Sequence, residues 1–384
     1  MRRRRRALLA ALLAACLLGG CTGSISSQVE CQAYALSLGV EKLGEAQYRL
    51  TAQIPSLGGK TSGSQEDGGG SSSSDDYLIT SAVGRSFTEA LDMLTATVPY
   101  SLQLSQLKTV VFSEQTARDE HFGEILREIV FTYQLYAAAR CIVCLGSAKD
   151  FLEAQRPVIG TRLSSSMTAE LEHYQSLGYI PASTLADVFY ASTSVYGDPV
   201  AILAALSGQR TDGQPARHMG NELPGEIDRD GPNKNEYFGL ALLRRGRMVG
   251  TLNGTQAKLT GMLTGKLNAF SYSCQDVVVR IRVLSGPRVQ VDLSEENPQI
   301  DVSLSLRVLA TDRFPDLEAL KGQLLEELDQ MTGACQALGA DPFNYALYAA
   351  GQFWTTADWL NYDWASRFPR ATVRYHLSLS RTQT

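Results

Sequence analysis

The chain has little histidine, no long apolar run past its first twenty residues, and a shortage of basic charge. Only four histidines occur among 384 residues, His121, His173, His218 and His376, and they lie far apart in sequence. That spacing offers no two-histidine metal helix. Beyond residue 20 no apolar stretch reaches 18 residues, the minimum that reads as a spanning helix. Five arginines stand at positions 2–6; without them 30 Lys+Arg face 40 Asp+Glu, a formal charge of −10. Such a balance argues against nucleic acid and against a polybasic membrane patch. The cysteines are seven, scattered at 16, 21, 31, 141, 144, 274 and 335. They make no disulfide framework for a chain of this size. Cys141-Ile-Val-Cys144 has C-x-x-C spacing but lies inside an apolar run that reads as a strand, with no second pair to complete a zinc site. Its members are expected to be buried structural cysteines, with their disulfide state left open.

Complete catalytic patterns are missing as well. Gly59-Lys60-Thr61 has the end of a phosphate loop, but the opening glycine is replaced by Ile54. Gly84-Arg85-Ser86-Phe87-Thr88 lacks the last glycine of a nucleophile elbow, and Ser86 reads as a helix cap. Glu295-Glu296 and Glu326-Glu327 read as solvated surface, and nothing singles out His173. No catalytic residue, metal ligand or cofactor is assigned.

What is present begins with MRRRRRALLAALLAACLLGGCTG. The apolar part, Ala7 to Leu18, is twelve residues long, too short to span a bilayer and suited to a signal-peptide core. Leu18-Gly19-Gly20-Cys21 has the pattern of a bacterial lipobox. Small residues let a peptidase reach the Gly20–Cys21 bond, and the Cys21 thiol takes a diacylglyceryl group. Two or more acyl chains anchor stably where one does not. Residues 1–20 are thus expected to be a lipoprotein signal peptide, with Cys21 the lipid-bearing first residue.

Along the rest, strands are expected at Ala33–Val40 and, joined to it by a hairpin through Glu41–Glu45, at Tyr48–Ile54 with one face buried. Residues 57–76, LGGKTSGSQEDGGGSSSSDD, are too poor in apolar side chains to offset the entropy of ordering and read as a flexible insertion within one domain. Strands are expected at Tyr77–Val83, Lys108–Phe112, Ala137–Leu145 and Val200–Leu206. Helices are expected after Ser86 and Ser147, and at 121–131, 163–176 and 183–191. Ser86-x-x-Glu89 is a capping box. Residues 207–235, rich in Gly, Pro, Asn and Asp, form the strongest compositional boundary. Beyond it come a hairpin over Tyr237–Leu252, three alternating strands at 277–283, 289–293 and 300–308, and a long helix from Pro315 to Leu338. An aromatic helical region at 342–366 and a closing strand at Val373–Leu379 complete the chain. Trp354, Trp359 and Trp364 read as core or a subunit contact. The pattern is α+β: several mixed domains in series, the C-terminal one an antiparallel sheet packed with a long helix. The expected division is 21–206, with a further subdivision near 145–150, a linker at 207–235, and 236–384.

These parts recur in one order: the lipobox, Leu38-Gly39-Val40-Glu41, Ser81 to Ala90, Leu104 to Glu114, Ala148-Lys149-Asp150-Phe151-Leu152, the Phe238–Leu252 hairpin, and Trp359 and Trp364 ahead of Phe368-Pro369. In that order the chain resembles the Ger(x)C family, the lipoprotein C subunits of GerA-type nutrient receptors in spores. It departs from the family's usual pattern at Thr22-Gly23, at Gln106 where histidine is common, and in the length of the 57–76 insertion. The resemblance implies a non-enzymatic subunit anchored through Cys21 on the outer face of the inner spore membrane. It also implies partnership with membrane-embedded A and B subunits, and a small-molecule nutrient sensed by the complex, with direct or only indirect contact to this subunit left open. It supplies no catalytic residue. An alternative from another class is a lipid-anchored substrate-binding protein of a membrane transporter, and a third is a cell-envelope hydrolase.

Overall fold

The computed structural model describes residues 32–55, 77–132, 137–156, 163–208, 220–227, 233–274, 277–309 and 315–381. The insertion at 57–76, the lipobox and Gly59-Lys60-Thr61 lie outside them.

The first half is built on an eight-stranded sheet. Its parallel centre comprises β2 (Ser37–Gly44), β6 (Thr109–Ser113), β7 (Arg140–Leu145) and β8 (Val200–Leu206). Antiparallel strands β3 (Gln47–Pro55) and β4 (Tyr77–Gly84) extend one edge, and β9 (Asn235–Arg244) and β10 (Arg247–Leu252) extend the other. Short β1 (Gln32–Tyr34) pairs in parallel with β5 (Ser101–Gln103) beside it. The apolar runs of β6, β7 and β8 are continuous because both faces are covered. On one face pack Phe87 of helix α1 (Phe87–Ala96), Leu126 of α3 (Phe122–Thr132) and Leu185 of α6 (Leu185–Thr193). On the other lie Phe151 of α4 (Ala148–Ala154) and Met167 of α5 (Leu163–Ser176). A five-residue helix, α2 (Glu114–Arg118), follows β6 directly.

Several expectations shift here. The strand expected over Ala33–Val40 breaks at Ala35-Leu36, because the backbone changes partner: Ala35 N–H donates to Gln103 and Leu36 N–H to Gln53. β3 buries Leu50 to Ile54 without interruption, so Thr51 and Gln53 are inside rather than on a wet face. Pro55 pairs with Tyr77, so the insertion does join adjacent strands of one sheet. The sheet also does not stop at 207–235. β8 pairs antiparallel with β9 across that stretch, and the Tyr237–Leu252 hairpin is two strands of the first sheet.

The second half holds β11 (Ala269–Cys274), β12 (Val277–Asp292), β13 (Gln299–Leu309) and β14 (Thr372–Arg381), in that order. The first three form an antiparallel meander; β14 adds in parallel to β13. A parallel neighbour needs a crossover, and here it is α8 (Leu317–Leu338) followed by three short helices, α9 (Tyr345–Ala350), α10 (Thr356–Tyr362) and α11 (Trp364–Arg367). The strands expected at 277–283 and 289–293 are one strand. Bulges between Val283 and Arg288 let β12 pass Pro287 without losing its partner. Asp316, not Pro315, opens α8 by accepting the Glu318 N–H, and Gly339 closes it in the left-handed conformation. Helix α7 (Gly254–Leu263) leads from β10 into this half.

Strand β9 links the two cores. Its Ala241 and Leu243 belong to the first core, while Leu240 and Leu242 belong to the core of the second half, with Leu304, Leu324 and Phe343. Alternation along one strand thus splits its side chains between two hydrophobic clusters.

Candidate functional site

The residues that carried the family pattern do architectural work. Glu41, buried within β2, accepts the Ala148 N–H at the start of α4 (3.2 Å) and faces Arg49 at 3.4 Å. Ser86 accepts the Glu89 N–H, and Glu89 reaches back to the Arg85 N–H (2.6 Å), one residue earlier than in the expected box. Ser113 and Ser147 cap α2 and α4. A Cβ at Gly84 would meet Ala90 N at 2.3 Å, so α1 can lie this close only to glycine. Gly239 has φ +91, and a Cβ there would meet the Leu252 carbonyl oxygen at 2.3 Å.

The C-x-x-C pair is brought into one strand but not together. Cys141 packs in the cluster on one face of β7 and Cys144 in the cluster on the other. Both are free, and burial pushes the Cys141 thiol up to about 12 and Cys144 upward too, the reverse of an activated thiolate. His121 sits beside Asp119, His376 beside Asp301, and His173 lies in the last turn of α5. Among the described residues no group of three His, Cys, Asp or Glu side chains could hold a metal. Cys21 and Gly20 lie outside the described residues.

A buried polar cluster lies where the halves meet, at the loop before β8. Asp198 and Asp341 exchange bonds: Asp198 N–H donates to the Asp341 carbonyl (3.2 Å), and Asp341 N–H donates to Asp198 Oδ2 (2.9 Å). The Asp341 carboxylate also accepts the N–H groups of Phe343, Tyr345 and Ala346, at 3.2, 3.2 and 2.7 Å. It does for α9 what Asn344 does not: Asn344 occupies the N-cap position at φ 63 and makes no side-chain cap. Burial, with the nearby Asp198, raises the Asp341 carboxyl to about 6 against the pull of those three N–H donors. Burial raises Asp198 too, opposed by its own backbone bond and by Arg244 and Arg245. Arg244, at the end of β9, donates to the Leu338 carbonyl at the C-terminus of α8 (3.0 Å) and to the Ala365 carbonyl (3.3 Å). A cation there meets the negative end of the helix dipole.

Trp359 donates from Nε1 to the Val195 carbonyl (2.9 Å) and stacks on Tyr196. Trp364 is also buried, but its Nε1 has no partner, nor has Ser192 Oγ. Both side chains line a cavity of about 300 Å³ with Asp198, Arg244, Arg245 and Asp341. A smaller cavity of about 140 Å³ shares Ala191 and Asp198 with it. Neither lining contains a histidine or cysteine to pair with a hydroxyl as base or nucleophile. The cluster ties the halves together. Sequence reasoning did not reach Asp198, Asp341 or Arg244, because their partners are 143 and 94 residues away. It treated the three tryptophans alike, whereas Trp354 is 99% exposed.

Comparison with known proteins follows the sequence order. Residues 26–206 match the model described as spore germination protein N-terminal domain, and residues 238–384 match the one described as spore germination B3/GerAC-like, C-terminal. No curated protein matches the chain. A solved structure titled crystal structure of the GerBC protein is similar in fold, with a TM-score of 0.51 at 13% identity, covering 90% of this chain and 97% of that one. The two models meet the chain on either side of 207–235, although the strands flanking that stretch, β8 and β9, pair in one sheet. The chain belongs to the GerAC-like family of spore germination proteins.

Proposed function

We propose that this protein is the lipid-anchored, non-enzymatic C subunit of a nutrient germinant receptor. Residues 1–20 are its signal peptide and Cys21 its lipid-bearing first residue, held on the outer face of the inner spore membrane beside membrane-embedded A and B subunits. One observation carries the reading: both halves of the mature chain match spore germination models, in order, with the lipobox immediately before them. Among the described residues no helix is long and apolar enough to cross a membrane, so a covalent lipid supplies what the helices do not. The motif residues brace helices against the sheet, which suits a scaffold that transmits contacts rather than one that turns over substrate.

Cys21→Ala should release the protein from spore membranes and depress nutrient-triggered germination, read by fractionation and by loss of optical density on nutrient addition. Retention of both membrane binding and germination refutes the reading. A substrate-binding protein for a transporter would instead open a large cleft between two lobes. Neighbouring genes discriminate: membrane A and B subunits for the receptor, an ATP-driven transporter for the alternative.

A further inference from the structure

We infer that one end of the molecule, the end where the parallel strands begin, lies against the lipid surface through an aromatic patch centred on Trp354. The inference rests on the Cys21 anchor proposed above and adds which surface that anchor holds down.

Strand register defines the end. Ser37, Thr109 and Arg140 are mutual partners at the starts of β2, β6 and β7, and β8 starts level with them. Antiparallel β9 therefore finishes at this end, where Leu242 pairs with Val200 and the hairpin turns at Arg245. The loop before β8 presents Val195 and Tyr196, both exposed. Tyr196 stacks on Trp359 of α10, and Trp359 bonds to Val195, so α10 and its exposed Leu360 sit beside this loop. The start of α9 is close as well: a Cβ on Gly197 would lie 3.2 Å from Asn344 Oδ1. That helix exposes Leu347 and Tyr348, and Trp354 stands on the connection between α9 and α10. A tryptophan 99% exposed and flanked by five further exposed large apolar side chains is more than scattered surface hydrophobicity. Indole and phenol rings favour a position that is half apolar and half wet, as at a membrane interface.

One further observation selects lipid as the occupant: the chain enters the fold at this same end, since β1 leads straight into the start of β2. Cys21 is eleven residues before Gln32, a reach of roughly 36–40 Å when extended. The start of β8 is three strands from β2, about 14 Å at ordinary strand spacing. A lipid on Cys21 can therefore remain in the bilayer while the patch touches it.

The test uses the full lipidated chain in vesicles of phosphatidylcholine and phosphatidylglycerol, with or without bromine on the acyl chains. Tryptophan emission should be quenched by the brominated lipid, and Trp354→Phe should reduce that quenching at least twofold, because Trp359 and Trp364 are buried. Trp354 makes no packing contact whose loss would unfold the chain. Equal quenching in wild type and Trp354→Phe overturns the proposal, as does a lipidated chain that floats with vesicles and is not quenched. A photo-cross-linker at position 354 in native membranes should label lipid; capture of a protein subunit there instead also overturns it. If the Cys21→Ala chain stays membrane-bound with Trp354 quenched, the patch stands and the anchor reading fails.

Discussion

The two sheets solve burial in different ways. In the first, β6 is buried at all five positions, and β7 and β8 nearly so, because helices cover both faces. In the second, β13 alternates: Ile300, Val302, Leu304, Leu306 and Val308 go inside, while Ser303 and Arg307 face water. Two covered faces erase the period-two signal and leave a plain apolar run; one wet face preserves it. The difference shows why the compositional break at 207–235 and the sheet disagree. Strand β9, with nine of ten residues buried, belongs by its hydrogen bonds to the first sheet and through Leu240 and Leu242 to the second core. The second half therefore cannot be packed without a strand of the first.

Substitutions along adjacent positions are the largest test of that comparison. On β6, Val111→Ala and Phe112→Ala should both destabilise, the latter by about 3–5 kcal/mol, since neighbours along the strand feed opposite cores. On β13, Val302→Ala should cost stability while Ser303→Ala stays within about 0.5 kcal/mol. Urea midpoints decide it; equal costs at 302 and 303 would show that the second sheet is covered on both faces.

The junction gives the next largest effect, in pH. The Asp341 carboxyl is raised to about 6 in the folded chain from an ordinary value of 3.8. The folded state then holds its proton more tightly than the unfolded state between those values. Stability from this group is complete below about 4 and is lost as pH rises through about 6, by about 3 kcal/mol at most. Asp341→Asn should flatten that part of the stability–pH curve, measured by denaturant midpoints from pH 4 to 7. An unchanged slope would place the titration elsewhere.

The smallest test compares two tryptophans in the second half. Trp359→Phe removes the bond to the Val195 carbonyl, whereas Trp364→Phe removes an N–H that has no partner. The first should cost more than the second, by about 1 kcal/mol beyond the packing change. Equal costs in thermal unfolding would mean that the Trp359–Val195 bond contributes nothing to joining the halves.

Much of the architecture was legible locally. Caps at Ser86 and Ser147, the apolar stripe of α8, the Gly339 stop and the alternation of β13 are signals over a few residues, and each appears in the structure. The misreadings share a cause, which is distance in sequence. The Ala35-Leu36 break depends on β5 and β3; the continuity of β12 past Pro287 depends on β13; the placement of the Tyr237–Leu252 hairpin depends on β8. Cys21, proposed on a linear pattern, lies outside the described residues. The Asp198–Asp341 exchange was not legible, because it exists only once residues 143 apart meet.

By itself the sequence determined the caps at Ser86 and Ser147, the Gly339 stop and the alternation of β13, because those follow from neighbouring residues. Tertiary structure alone decided that Cys141 and Cys144 face opposite cores, that β9 serves both halves, and that Trp354 is bare while Trp359 and Trp364 are covered. Exposure is set by what the rest of the chain places over a side chain, and spacing along the chain carries no record of that.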